Sequence, residues 1–271
     1  YNLLVTKLFS TSEMQLYDTL SELMDRIAKK GVSINLAFFI PHGNIRGYVL
    51  GMKQRAATTE EIEKMKKLIK QGMDAGAFGL STGLIYHPGE NTHTGELIEV
   101  CKALTEYDGI YNSHVRNEGK YILEQGIGEL LEIAKGAQVK AHISHLKVGG
   151  FSAKKLPPKI INLIKNARAE GLFLHADLYP YEEVPFFLSG SVLKPWVFDD
   201  FEENLTNPDT RKKVLDVLFQ YFYEQMKELP LYARILIRIL PKFVINKIVV
   251  SYIKKKIRVL RIPSSRVTSC R

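Results

Sequence analysis

Cysteine is nearly missing from this 271-residue chain, with Cys101 and Cys270 the only two. Two thiols so far apart cannot build a disulfide framework, and without a CxxC pair there is no thiolate zinc or redox motif. A reducing, cytoplasmic compartment is the expectation. The chain opens on Tyr1 rather than Met and shows no basic-then-apolar leader, so no signal peptide is visible. A run of about 18 apolar residues is also lacking, which argues against a membrane span. No GxGxxG or GxxxxGKS/T loop follows an apolar run, which removes the usual nucleotide-binding signatures. Acid is missing from one region: between Leu229 and Arg271 there are 11 Lys or Arg and no Asp or Glu. Over 1–228 the other 27 basic residues face all 29 acidic ones. The net charge of +9 therefore belongs to the tail, and the near-neutral body lacks the basic face that nucleic-acid binding favours.

At 45% hydrophobic, the chain is long enough for one large domain or two small ones. Apolar runs at Ser33–Pro41, Gly76–Tyr86, Gly109–Val115, Gln138–Lys147 and Leu172–Tyr181 read as strands. Between them, apolar residues recur every three or four positions, as in Ile62, Met65, Leu68, Ile69 and Met73. Thr58 followed by Glu61 is a capping-box start for that helix. Further helices are expected near Leu16, through 97–104, over roughly 120–135 and over 157–170. Gly31, Gly76, Gly109, Gly136 and Gly171 follow helical stretches and suit left-handed caps. Asn207–Pro208 starts another helix.

Strands alternating with helices imply a parallel sheet. Five successive units suit an open doubly wound sheet or most of a (β/α)8 barrel, and the absence of a nucleotide loop favours the barrel. Residues 1–228 are expected to form this α/β body. Residues 229–271 are expected to be a basic apolar tail rather than a separate domain, with an amphipathic helix at a membrane surface over 229–261 as an alternative.

Seven histidines are present, and their position separates them. Barrel active sites are built at the carboxyl ends of strands. His114 ends the third run, and His145 ends the fourth, 31 residues later. Imidazoles at equivalent heights on adjacent strands would reach one metal, and zinc prefers such nitrogen ligands. His142, three residues before His145, is expected by strand alternation to face the helices. His175 lies mid-strand and is left out. Asn112, Ser113, Arg116, Asn117 and Glu118 surround the first histidine, and Ser144 and Lys147 the second. Asp177 and Tyr179 end the fifth run, while Ser81, Thr82 and Tyr86 end the second. Polar groups at strand ends above apolar strand bodies describe a barrel rim.

The motifs GAFGLSTGLIYHPG (76–89), NSHVRNEG (112–119), ISHLK (143–147) and ADLYPY (176–181), with HGNIRGYVLG (42–51), occur in that order. Together they resemble the N-acyl-D-amino-acid deacylases, or D-aminoacylases, of the amidohydrolase superfamily, over about residues 10–215. The resemblance implies a partial TIM-like (β/α)8 barrel, about strands three to seven, and deacylation of N-acyl-D-amino acids by zinc-activated water. It implies Zn2+ held by His114 and His145, with Lys147 and Tyr86 at the amino-acid part of the substrate and Tyr179 beside them. Arg116, by its planar fork, is expected to anchor a substrate carboxylate. The family's HxH or HxD pair and its upstream cysteine have no counterpart here, and Cys101 falls in a helix. The general-base aspartate is expected beyond the C-terminal end. An incomplete chain follows as the expectation, with an inactive remnant or a basic-tailed interaction module as the alternative to an enzyme. Hydantoinase- or dihydroorotase-like ring opening is disfavoured because GAFGLSTGLIY lacks the lysine that those enzymes carboxylate.

Overall fold

The alternation of apolar runs and amphipathic stretches forms a parallel sheet backed by helices. The computed structural model describes residues 19–51, 53–149, 155–180, 195–198, 201–226 and 247. Strands β1 (Phe39–Pro41), β2 (Gly79–Gly83), β3 (Ile110–His114), β4 (Lys140–Ile143) and β5 (Leu174–Ala176) are all parallel and lie side by side in chain order. A doubly wound sheet reverses its strand order at a switch point, whereas a barrel wall does not. Each strand is shorter than the apolar run that announced it; Ser33–Pro41 contributes only its last three residues to the ladder.

Helix α1 (Leu20–Lys30) precedes β1, and α2 (His42–Leu50), α3 (Thr59–Asp74), α4 (Thr94–Cys101), α5 (Glu129–Ala137) and α6 (Pro157–Ala169) lie between successive strands. The start of α3 is the capping box expected from its sequence. The Glu61 amide donates to Thr58 Oγ1 at 3.3 Å, and the Thr58 amide donates to Glu61 Oε2 at 2.8 Å, an arrangement worth about 1 kcal/mol. Met65, Ile69 and Met73 on α3, Leu97 and Val100 on α4, and Leu130 and Ile133 on α5 share one core with Ile40, Leu80, Tyr111, Ala141, Ile143 and Leu174 of the strands.

That core lies on one face of the sheet. Ser81, Asn112, His142 and His175 form an aligned row on the other face, each the register partner of the next across β2 to β5. His142 therefore does not face the helices as expected. Alternation holds within β4, but the chain leaves the strand after Ile143, and His145 sits in a turn at φ +40°. An odd spacing between the two histidines thus carries no information about their faces.

Glycine usage also differs in part from expectation. Gly31, Gly76 and Gly171 adopt positive φ, but the left-handed positions after the 102–107 turn and after α5 belong to Asp108 and Gln138. Gly136 instead allows close packing, since a Cβ there would lie 3.0 Å from Ile98 Cδ1. The tightest approach is at Gly79, where a Cβ would fall 1.9 Å from the Ile110 carbonyl oxygen.

The chain divides into two compact units, 1–199 and 200–271. In the second, α7 (Phe201–Thr206) is followed by α8 (Pro208–Met226), which Asn207 caps by accepting from the Asp209 amide at 3.0 Å. The boundary expected at 228/229 lies outside the described residues, as does the tail over 229–271 apart from Lys247. Among the described residues, no helix is long and apolar enough to cross a membrane.

Candidate metal centre

The carboxyl ends of β3 and β4 are held together by their loops. The Ser144 amide donates to the Ser113 carbonyl at 3.0 Å, and the Leu84 amide donates to the His114 carbonyl at 3.1 Å. Asp177, just past β5, accepts from the His145 amide and lies 2.9 Å from His142 Nε2, which fixes the left-handed turn at His145. Burial acts to raise the Asp177 carboxyl, but the His142 and His145 contacts outweigh it and hold the group below its ordinary value. The expected strand-end role of Asp177 thus becomes one of support.

This framework places the His114 and His145 rings 4.4 Å apart, edge to face. Beyond β3, Asn117 Oδ1 accepts from the Gly119 amide at 2.9 Å, and the Gly149 amide donates to the Glu118 carbonyl at 2.7 Å. The loop so formed turns the Glu118 side chain back onto the histidines. Glu118 Oε1 lies 3.2 Å from His114 Nδ1 and 3.3 Å from His145 Nδ1. One donor atom each from His114, Glu118 and His145 falls within 4.8 Å of the others. Two imidazoles and a carboxylate are a donor set of the zinc type. His114 Nδ1 fits this too, being buried without a hydrogen bond although it faces the carboxylate.

Lys147 completes the cluster. Its ammonium donates to Glu118 Oε1 and to His145 Nδ1, the latter at 2.9 Å. Burial would raise the Glu118 carboxyl, but the neighbouring His114 and Lys147 reverse this and lower it. His145 is lowered as well, first by burial and then by the charges of His114 and Lys147. Tyr86 sets its ring 5.1 Å from that of His114, and Lys147 Nζ lies 5.7 Å from the Tyr179 ring centre. The structure therefore brings together five of the six residues singled out in the sequence: Tyr86, His114, His145, Lys147 and Tyr179.

Arg116 is the exception. It bonds to Glu129 through Nε at 2.9 Å and Nη2 at 2.9 Å, and to the Thr92 and Glu90 carbonyls at 2.7 and 2.9 Å. Its fork does bind a carboxylate bidentately, but the carboxylate belongs to the protein. Arg116 is a clamp between the 90–92 loop and α5. Glu118, by contrast, was noticed in the sequence only as a polar neighbour. Its position four residues after His114 in an irregular loop gave no periodic signal of a ligand. Cys101 is fully buried in α4, which pushes its thiol up and away from ligation.

His114, Glu118 and His145 thus offer the donors for one metal ion at the carboxyl ends of parallel βα strands. No protein-family model matches the chain. D-aminoacylase of Alcaligenes xylosoxydans xylosoxydans is 34% identical over 165 residues, 61% of this chain and 34% of that protein. The N-acyl-D-aspartate deacylase of the same organism is 29% identical over 175 residues, covering 64% and 35% of the two chains. Among solved structures, a D-aminoacylase matches with a TM-score of 0.58 at 32% identity, over 61% of this chain and 34% of that one. The zinc- and phosphonate-bound N-acyl-D-glutamate deacylase of Bordetella bronchiseptica matches with a TM-score of 0.60 at 28% identity, over 63% and 36%. The homologues of this chain are thus D-aminoacylases and N-acyl-D-amino-acid deacylases of the amidohydrolase superfamily. The chain spans about a third of the length of the curated relatives it matches.

Proposed function

We propose that this chain carries the metal-binding part of a zinc-dependent amidohydrolase that deacylates N-acyl-D-amino acids. In this reading, β1 to β5 answer to about the third to seventh strands of a (β/α)8 barrel. The observation that carries the reading is the convergence of His114, His145 and Glu118 at the ends of adjacent strands, with Lys147 against them. A zinc ion held by these residues would supply Lewis-acid polarisation of the amide carbonyl and a more acidic water. Lys147 offers its ammonium to the substrate carboxylate. Tyr86 and Tyr179 flank the cluster and wall the pocket for the amino-acid part. No residue of this chain is assigned as general base. A reducing, cytoplasmic compartment is part of this reading, supported by the scarcity and wide separation of the cysteines.

A second reading, for the 271 residues by themselves, is a metal-binding but non-catalytic chain. It is favoured by the absence, among the described residues, of a cysteine or aspartate joining His114, Glu118 and His145. Zinc content and amine release from N-acetyl-D-methionine test both readings. One zinc per chain, lost in His114→Ala, is the expected result. Turnover lost in the same variant favours the enzyme, and zinc without turnover favours the second reading. A wild-type chain that takes up no zinc overturns the metal centre itself.

A further inference from the structure

Glu118 Oε1 is shared between two duties. It is the oxygen that both histidine Nδ1 atoms approach, at 3.2 and 3.3 Å, and it also accepts from Lys147 Nζ. His145 Nδ1 is shared in the same way, lying 2.9 Å from Lys147 Nζ. The carboxylate and the imidazole that tether the ammonium are therefore two of the three groups that a cation at this cluster would draw on. Lys147 is only one third exposed, and among the described residues its ammonium donates to Glu118 and His145.

Resting on the metal centre proposed above, we infer that Glu118 and Lys147 couple two binding events: divalent-cation binding at His114, Glu118 and His145, and carboxylate binding at Lys147. Without the cation, the carboxylate of Glu118 neutralises Lys147 and the ammonium is withheld from an incoming anion. With the cation, Glu118 and His145 would be drawn to it, and Lys147 would regain an unneutralised charge beside the centre. A substrate-type carboxylate is then the ion that restores charge balance. By linkage, the carboxylate must tighten the cation by the same factor. The arrangement favours binding of the amino-acid carboxylate only to a loaded centre, which keeps the empty site from holding substrate unproductively.

The experiment titrates the full 271-residue chain with zinc, with and without 4-(methylthio)butyrate. This probe has the carbon skeleton of methionine and its carboxylate but no amide to cleave and no amine to chelate. Zinc affinity is expected to rise by about five-fold or more with saturating probe, the lower range of measured couplings. In Lys147→Gln, zinc should bind more tightly than in the wild type without probe, and the probe should leave its affinity unchanged. In Glu118→Gln, zinc should bind more weakly, and the probe should bind equally with and without it. Equal zinc affinity in the presence and absence of probe overturns the coupling while leaving the metal centre standing. The same coupling in Lys147→Gln as in the wild type also overturns it, because the carboxylate would then be acting directly on the zinc. Failure of the wild type to bind zinc removes both the coupling and the metal centre.

Discussion

Replacing Glu96 by glutamine removes one charge from a pair that water does not reach. The Arg46 side chain is fully buried and that of Glu96 is 4% exposed, with Arg46 Nε 3.0 Å from Glu96 Oε1. Arg46 also donates through Nη2 to the Arg55 carbonyl at 2.6 Å and through Nη1 to the Pro88 carbonyl at 3.4 Å, while Glu96 Oε2 accepts from the Ala57 amide at 3.0 Å. The pair thereby ties α2, the 55–57 segment and α4 to the loop that carries Tyr86. The variant keeps the shape of Glu96 but leaves a guanidinium without its counter-charge, at a cost of about 3–5 kcal/mol. With a urea m-value of about 1–3 kcal/mol/M, the unfolding midpoint should fall by about 1 M or more. The double variant Arg46→Met/Glu96→Leu buries no charge and should lose clearly less than Glu96→Gln. Urea unfolding followed by circular dichroism measures both. A loss below about 1 kcal/mol in Glu96→Gln would show that the pair is hydrated or dispensable, and the reasoning from burial would fail.

Two other outcomes follow from single buried groups. His42 is completely enclosed, and burial, assisted by the charge of Arg46, pushes its imidazole down to about 4. Above pH 6.5 both folded and unfolded chains hold it neutral. As pH falls towards 4 only the unfolded chain takes up the proton, so stability drops across that window. The loss between pH 7.5 and pH 5 should be about 2 kcal/mol, and urea midpoints at the two pH values should show this difference shrinking in His42→Leu. Gly79→Ala sets a Cβ against the Ile110 carbonyl; it should cost ~3 kcal/mol and raise amide exchange at the β2–β3 ladder, and an unchanged midpoint would contradict the strand pairing.

Much of the order of elements was legible in the sequence because it is written in local periodicity. The capping box at Thr58, the cap at Asn207 and the alternation of runs with amphipathic stretches need only neighbouring residues to be read. His114 and His145 could be paired for a related reason, since parallel βα units repeat at a regular spacing and strand ends share one rim. Strand lengths were less legible, because ladder pairing depends on which residues of an adjacent strand arrive opposite.

The side-chain partnerships were decided by the tertiary structure alone. Arg116 and Glu129 are 13 residues apart, Arg46 and Glu96 are 50 apart, and nothing local predicts either pair. Arg116 therefore looked like a substrate anchor until the fold delivered a carboxylate to it. His142 was assigned to the wrong face because period two ends with the strand, and the turn after Ile143 is held by Asp177 from the next unit. Glu118 entered the cluster through an irregular loop, which has no period to read. The sequence by itself determined which residues could do chemistry and at which end of the sheet they lie. Which of them share an atom was settled only when distant segments packed together, since hydrogen bonds and ion pairs depend on position in space rather than on order along the chain.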